Sequence, residues 1–433
     1  MEHRQDTSAS DGAHRIPTIS RVAGDTIIEL VYDPEKRQTG LVVSRFGGLW
    51  NIEQEVKIDT GEVLVPYAPS NNLIAHECVL FASKPEHHGD KAELLAEIEY
   101  FLNRYVDLSP VYLRIAAHYV LLSWVYDAFN ELPYLRLQGD YGTGKTRGLL
   151  AIGSLAYKPF FASGASTISP IFHTLDTFGG TLVLDETDFR FSDPTSELVK
   201  IFNNGTVRGL PVLRTIQNRH KEFNPRAFRV FGPKIVAMRG SFADPALESR
   251  FLTEEMGQRP LRKDIPISLP QEFHDEALLL RNKLLHYRLC RYFDVKLDAA
   301  AKVEELEPRM NQIALPLLSL VDEPALRSDI AAFLAREQAN RLSERAETFE
   351  ARVIACVREA FDSAAGEPVS VGAVTRAFNA RHVAEYGHPV SEKRVGHVIR
   401  TRLHLATRKS NGVYVIPESE KPAIEALAAR YNG

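Results

Sequence analysis

The chain has 433 residues, enough for two or three domains of the usual ~150 residues. Hydrophobic residues at 44% and charged residues at 25% exclude wholesale disorder, a collagen-like fibre and a multi-span membrane protein. Lys plus Arg number 52 against 56 Asp plus Glu, a net charge of −4, so any surface for nucleic acid must be local.

Residues 1–16 are polar, lack an apolar core, and read as a disordered tail and not a signal peptide. A cytoplasmic location follows by default. Over 17–88, β-rich runs (DTIIELVYD, TGLVVSRFG, GEVLVPY, HECVLFAS) alternate with turn signals, which predicts a small β-rich N-terminal domain. His87-His88 stands in a polar turn and reads as a solvated loop, since adjacent residues cannot easily face one ion. The three cysteines, Cys78, Cys290 and Cys356, form no CxxC pair, against a disulfide scaffold or a cysteine-rich zinc site.

From 89 to 265 the pattern becomes α/β. Leu94, Leu95, Ile98, Phe101, Leu102 and Tyr105 recur at helical spacing, and a second helix runs from about Pro110 to Asn130. Its apolar stretch, Val111–Phe129, is interrupted by Arg114, His118 and Asp127, so a buried helix explains it better than a membrane span. From Pro133 short apolar strands alternate with helices, the pattern of a parallel sheet with crossovers. Residues 266–345 are helical in pattern, and 346–433 look like a separate small unit.

The strongest motif is Gly139-Asp140-Tyr141-Gly142-Thr143-Gly144-Lys145-Thr146, between the strand-like run Tyr134–Leu137 and the helix-compatible Arg147–Leu155. This is G-x-x-x-x-G-K-S/T in the strand–loop–helix context that the motif requires. Glycines let backbone N–H groups curl round a phosphate, and the helix N-terminus adds partial positive charge. Lys145 is expected to reach the β- and γ-phosphates of ATP, and the Thr146 hydroxyl to ligate Mg²⁺. Farther on, the apolar run Gly180–Leu184 ends in Asp185-Glu186. Asp185 takes the Mg²⁺ role and Glu186 that of general base for the attacking water.

Further residues carry a family resemblance. A predicted helix, Ser196–Phe202, is followed by Asn203-Asn204-Gly205, and then by two β-prone runs, Pro211–Ile216 and Ala227–Phe231, joined by a polar segment. Next come the strand Lys234–Met238 and Ser249-Arg250-Phe251. In this order over about 110–290, the chain resembles the AAA+ P-loop ATPase cores of primase-associated and MCM-like replicative helicases of phages, plasmids and integrated elements. The resemblance implies a P-loop AAA+ core with a helical lid over 266–345, a hexameric ring, and single-stranded or forked DNA as partner. It implies that the hairpin grips DNA in a central channel through Arg219, His220 and Lys221, although a solvated surface hairpin would look the same. It makes Arg250 an arginine finger acting across a subunit boundary, against the alternative of a structural salt bridge. Arg239 occupies the sensor-1 neighbourhood, where a polar Asn, Ser or Thr is usual. Arg281 is a sensor-2 candidate on the lid, or part of an exposed helix face.

Residues 347–417 read as helix–helix–helix–hairpin, a winged-helix pattern in which Ala406–Gly412 joins two short β runs. Val390–Gly412 carries Lys393, Arg394, Arg400, Arg402, Arg408 and Lys409 against Glu392 alone, a local basic face suited to DNA or to protein contacts. The whole predicts an ATP- and Mg²⁺-dependent DNA helicase or translocase. The alternatives are an ATP-gated initiator, helicase loader or regulator, or a protein remodeller.

Overall fold

The computed structural model describes residues 14–432 except 46–47, 59–60, 165, 186–192, 218–222, 243 and 365. The chain divides into two compact units, one ending at Leu334 and one beginning at Ala335.

In the first unit, β1 (Arg15–Thr18), β2 (Ser20–Ala23), β3 (Thr26–Asp33), β4 (Gln38–Arg45), β5 (Leu49–Glu53), β6 (Val56–Lys57) and β7 (Val63–Pro66) come first. β2 to β5 form an antiparallel sheet in sequence order, and β1 pairs in parallel with β7. Arg15 and Ile16, expected in the tail, are thus in a strand. The run HECVLFAS forms no strand; only Val79 bridges, to Phe160. Helices α1 (Asn72–Ala75), α2 (Lys91–Tyr105) and α3 (Pro110–Trp124) follow. Asp90 and Glu93 cap α2 reciprocally, each accepting the other's backbone N–H. α3 starts at Pro110 and buries nearly every side chain from Ile115 to Trp124. Its polar residues are satisfied inside the protein: Arg114 pairs with Glu99 and Glu323, and His118 Nδ1–H donates to the Arg114 carbonyl. Burial pushes the His118 pKa down to about 4, so this imidazole stays neutral. Among the described residues no helix is long and apolar enough to cross a membrane.

Then come β8 (Tyr134–Gln138), α4 (Lys145–Gly153), β9 (Phe160–Ser163), α5 (Ile168–Phe178), β10 (Leu182–Asp185), α6 (Asp193–Asn204), the hairpin β11 (Val212–Gln217) and β12 (Phe223–Phe228), β13 (Lys234–Met238), α7 (Pro245–Glu248) and β14 (Phe251–Glu255). Five strands form one parallel sheet in the order β14-β8-β13-β10-β9. A parallel sheet covered on both faces demands near-continuous apolar strands. Leu135, Leu137, Leu182, Val183, Leu184, Ile235, Val236 and Ala237 are all within 1% of complete burial. Buried polar residues on these strands are partnered: the Arg136 guanidinium meets both Glu248 carboxylate oxygens at 2.7 Å and Thr253 Oγ1 at 3.0 Å. The expected second hairpin strand, Ala227–Phe231, starts four residues and ends three residues earlier, at Phe223–Phe228, in register Gln217↔Phe223 to Val212↔Phe228. Pro225 is tolerated there because a two-stranded ribbon is all edge.

α8 (Gln271–Arg291), α9 (Pro308–Leu318) and the start of α10 (Pro324–Ala346) complete the unit. α8 is fastened to the N-terminal region and to α2: Asn282 Oδ1 accepts from the Ser83 N–H at 2.9 Å, and Lys283 pairs with Glu97 at 2.6 Å. The β-rich region is not an independent body either. Ile28, Leu30 and Tyr32 share one apolar cluster with Phe160, Phe172 and Phe178 of the α/β core. On the other face of β3, Glu29 is fully buried and accepts from Arg288 Nε at 2.8 Å, Tyr157 Oη at 2.8 Å and Lys158 Nζ at 3.0 Å. Arg288 also donates to both Asp127 oxygens, at 2.7 and 2.8 Å, and to the Trp124 carbonyl at 2.7 Å. Burial alone would raise the Glu29 pKa; Lys158 and Arg288 outweigh it and hold the carboxyl below its ordinary range.

The second unit contains the end of α10, α11 (Phe349–Ser363), β15 (Val369–Ser370), α12 (Val371–Tyr386), α13 (Glu392–Thr401), β16 (Arg408–Ser410), β17 (Val413–Ile416) and α14 (Lys421–Asn432). Thr348, Ser370 and Ser391 cap the three leading helices with their hydroxyls. β15-β17-β16 form an antiparallel sheet, and Val353, Ile354, Val374, Phe378, Val395, Ile399 and Ile416 share the core. The hairpin turn is Asn411-Gly412, at φ +48° and +83°, the conformation a two-residue hairpin favours. Arg408 and Lys409, expected in the connecting loop, therefore lie on β16. Helix α14 was not expected, although Ile424, Leu427, Ala428 and Tyr431 give it a helical apolar face.

Replacing Arg288 with Ala would leave the Asp127 carboxylate without its guanidinium partner and take one of two cations from the buried Glu29. Urea unfolding of Arg288→Ala should show a loss of about 3–5 kcal/mol. A loss under ~1 kcal/mol would mean that the Glu29 cluster does not hold the N-terminal sheet.

Candidate nucleotide site

The parallel register delivers the site. Met238 stands opposite Gln138, and Asp185 ends the strand next to β13 on its other side. The C-terminal ends of β8, β13 and β10 thus lie side by side, where α/β sheets bind ligands. Beyond Gln138 the loop leaves through Gly139, Gly142 and Gly144, at φ +155°, +74° and +88°, and enters α4 at Lys145. Gly139 allows a close approach: a Cβ there would meet the Met256 carbonyl oxygen at 2.5 Å. Thr143 Oγ1–H donates to the Asp140 carbonyl at 2.9 Å, and Lys145 Nζ donates to the same carbonyl at 2.5 Å. Gly148 lets α4 press on Leu137, whose Cδ1 would be 2.4 Å from an added Cβ.

Around this loop lies a cleft of about 410 Å³, lined by Tyr141, Gly142, Thr143, Gly144, Lys145, Thr146, Arg147, Asp185, Ala237, Met238 and Arg239. Of the sequence-predicted residues, the fold therefore unites the loop from Tyr141 to Thr146 with Asp185 and Arg239. The donor set fits the groups expected of it. Lys145 and the amides of a helix N-terminus suit a polyphosphate, and the Thr146 hydroxyl and Asp185 carboxylate are hard oxygen ligands of the kind Mg²⁺ takes.

Arg281 is not at this cleft. Its guanidinium is buried between α8 and the chain before α2, donating to the Phe81 carbonyl at 3.0 Å and the Ser154 carbonyl at 2.8 Å. Burial lowers its pKa to about 10. The sensor-2 and exposed-face readings both give way to a structural one, because two buried carbonyls occupy its donors. Arg250 is half-buried after α7 and does not line the cleft; its guanidinium donates to Asn203 Oδ1 on α6. Burial, then the neighbouring Arg309, lowers its pKa. Glu186 lies outside the described residues, as do Arg219, His220 and Lys221 at the hairpin tip. The hairpin stem is described: Arg214 pairs with Glu197 at 3.0 Å, and Arg226 and Arg229 pair with Asp176 at 3.0 and 3.3 Å.

In the second unit, Lys393, Arg394 and Arg400 are exposed on α13, and Arg408 and Lys409 on β16. Two of them also pack on aromatic rings, Arg394 over Phe349 at 4.6 Å and Arg400 over Tyr414 at 5.2 Å. His88, expected in a solvated loop with His87, is instead buried, and its Nδ1 lies 2.7 Å from His286 Nδ1. Among the described residues no group of three or more His, Cys, Asp or Glu could hold a metal. Sequence reasoning missed the contact between Arg239 and Tyr141, whose ring centroid lies 3.4 Å from the guanidinium carbon. No periodicity could have shown it, since the pairing depends on strand order.

No protein-family model matches the chain, and no curated relative matches it. Among solved structures, it is similar to the C-terminal region of NrS-1, at 11% identity and a TM-score of 0.39 over 90% of this chain and 96% of that one. It is also similar to the SCCmec type IV Cch helicase, at 12% identity and a TM-score of 0.34 over 95% of this chain and 96% of the other. A full-length MCM homologue from Methanopyrus kandleri aligns at 14% identity and a TM-score of 0.35, over 70% and 69% of the two chains.

The loop geometry can be tested through its glycines. Gly139→Ala should destabilise the first unit by about 1–3 kcal/mol, since backbone and strained φ oppose the methyl together. Gly142→Ala, with nothing within 4 Å of the added Cβ, should cost less. Equal thermal shifts for the two variants would mean that Met256 does not confine the loop.

Proposed function

We propose that this chain is an ATP- and Mg²⁺-dependent motor of the DNA helicase type, working as an oligomeric ring, a hexamer in the families it resembles. The observation that carries the reading is the single cleft lined by the phosphate loop, Asp185 and Arg239. In this reading Lys145 contacts the β- and γ-phosphates, while Thr146 and Asp185 hold Mg²⁺. The ion, when bound, neutralises charge on the phosphate oxygens. Glu186, next after Asp185, would accept a proton from the attacking water. Arg250, set on α7's exit and away from its own cleft, would serve the site of a neighbouring subunit. The hairpin tip, Arg219, His220 and Lys221, would meet DNA phosphates, and the C-terminal unit, read as a winged helix, would offer Lys393, Arg394, Arg400, Arg408 and Lys409 to DNA.

A second reading, an ATP-gated initiator or loader without unwinding, is favoured by the exposed basic face of α13 and β16. Such a surface can hold duplex DNA whether or not a motor follows. Hydrolysis and unwinding measured with single-stranded, duplex and forked DNA separate the two. The motor predicts DNA-stimulated hydrolysis and strand separation, both abolished in Lys145→Ala. Hydrolysis with no unwinding of any fork favours the initiator, and no hydrolysis at all removes both.

The trans role of Arg250 has its own test. Arg250→Ala alone should lose hydrolysis by a factor on the order of 10³, as for other arginine fingers. Mixed with Lys145→Ala protein, it should regain activity, since some interfaces then join an intact loop to an intact finger. A silent mixture, with subunit exchange verified by native mass measurement, rules out the trans role.

A further inference from the structure

Tyr141 stands in the middle of the phosphate loop with 71% of its surface exposed. Gly139 stands two residues before it at φ +155° and Gly142 directly after it at φ +74°, so the loop turns on both sides of the ring where other residues would be strained. The Arg239 guanidinium carbon lies over the ring, 3.4 Å from its centroid, which is van der Waals contact. The sheet imposes this meeting. Met238 pairs with Gln138, and the Gly139 N–H donates to the Met238 carbonyl at 3.3 Å, so residue 239 emerges beside the start of the loop. Both side chains line the cleft with Lys145 and Thr146.

Stacking engages the face of a guanidinium, whereas its N–H donors lie in its plane. A ring and a phosphate oxygen therefore do not compete for the same atoms. A tyrosine on the loop can thus set the height and tilt of an arginine that belongs to a different strand.

We propose that Tyr141 is a positioning residue whose ring holds the Arg239 guanidinium at the mouth of the cleft, where Arg239 reads the terminal phosphate of a nucleoside triphosphate. The proposal rests on the nucleotide reading of the cleft. It makes the loop and the β13 end one device: a loop that moves takes Arg239 with it.

The test is the ratio of affinities for a fluorescent non-hydrolysable ATP analogue and the matching ADP, each with Mg²⁺, on the full chain. Arg239→Ala should lose about tenfold of the triphosphate preference, the scale of one charge-assisted contact. Tyr141→Ala should lose about two- to fivefold, the scale of an exposed cation–π contact, and Tyr141→Phe should keep the wild-type ratio. The double Tyr141→Ala/Arg239→Ala variant should lose no more than Arg239→Ala alone, because the ring acts only through the arginine. A merely structural role for the ring would weaken both nucleotides together and leave the ratio unchanged. An unchanged ratio in Tyr141→Ala, a Tyr141→Phe as damaged as Tyr141→Ala, or additive losses in the double variant overturns the proposal while the nucleotide reading stands. Wild-type protein that binds neither nucleotide overturns both.

Discussion

The candidate site depends on one constraint, the parallel pairing of β8, β13 and β10. Adjacent strands lie about 4.8 Å apart, so residues that leave the same edge are neighbours whatever their distance in sequence. Gly139, Asp185 and Arg239 meet for this reason. Register is fixed by packing: a one-residue slip of β13 would exchange Val236 with Ile235 and Ala237 across two faces that are both buried, and each close-packed layer would receive side chains of the wrong volume. Apolar side chains far from any chemistry thus determine where the polar ones stand.

That sheet is braced by charge as well as by apolar packing. Arg288, Glu29, Lys158 and Asp127 come from α8, β3, the turn before β9 and the turn after α3. A buried ion cluster gains little over an apolar one of the same shape, but removing one member is costly. The cluster therefore penalises any arrangement in which the N-terminal sheet leaves the core. It also explains why a domain boundary near residue 88, reasonable from composition, is not a boundary in packing.

The legible parts of the sequence were those whose signal is local. The phosphate loop, the strands Tyr134–Leu137 and Lys234–Met238, and helix α12 stand where glycine spacing and periodicity put them. Asn411-Gly412 was equally local, yet the turn was drawn too wide and swallowed β16. The second hairpin strand starts earlier than expected because the polar Asn224, Pro225 and Arg226 carry no strand pattern, and among the described residues the ribbon is covered by the core only near Val212 and Phe228. What stayed illegible was everything decided by strand order or long-range partners. Glu29 in an apolar run and Arg288 in a helix each looked like an ordinary charged residue, and only the fold joins them. Arg281 was misread for the same reason, since its carbonyl partners lie on segments remote in sequence. Glu186 and the tip residues Arg219, His220 and Lys221 lie outside the described residues, so the sequence argument alone carries them.

The hairpin's place in the chain bears on how a motor of the proposed kind would work. It is inserted between α6 and β13, and both lead to the cleft. α6 follows the segment after Asp185, while β13 ends at Met238, just before Arg239. The stem is tied back by Arg214 to Glu197 on α6 and by Arg226 to Asp176 on α5. The exit of α6 is fixed to the start of β13: Lys234 Nζ, fully buried, donates to the Val230 and Gly232 carbonyls at 2.9 and 3.0 Å, and only a glycine fits at 205, where a Cβ would meet that nitrogen at 2.3 Å. Burial brings the Lys234 pKa down to about 7. A shift of β13 relative to β10 at the cleft would therefore have to move the hairpin stem, because packed segments with no slack connect them. In a motor of the proposed kind that path would be short, and it would run through side chains that do not line the cleft.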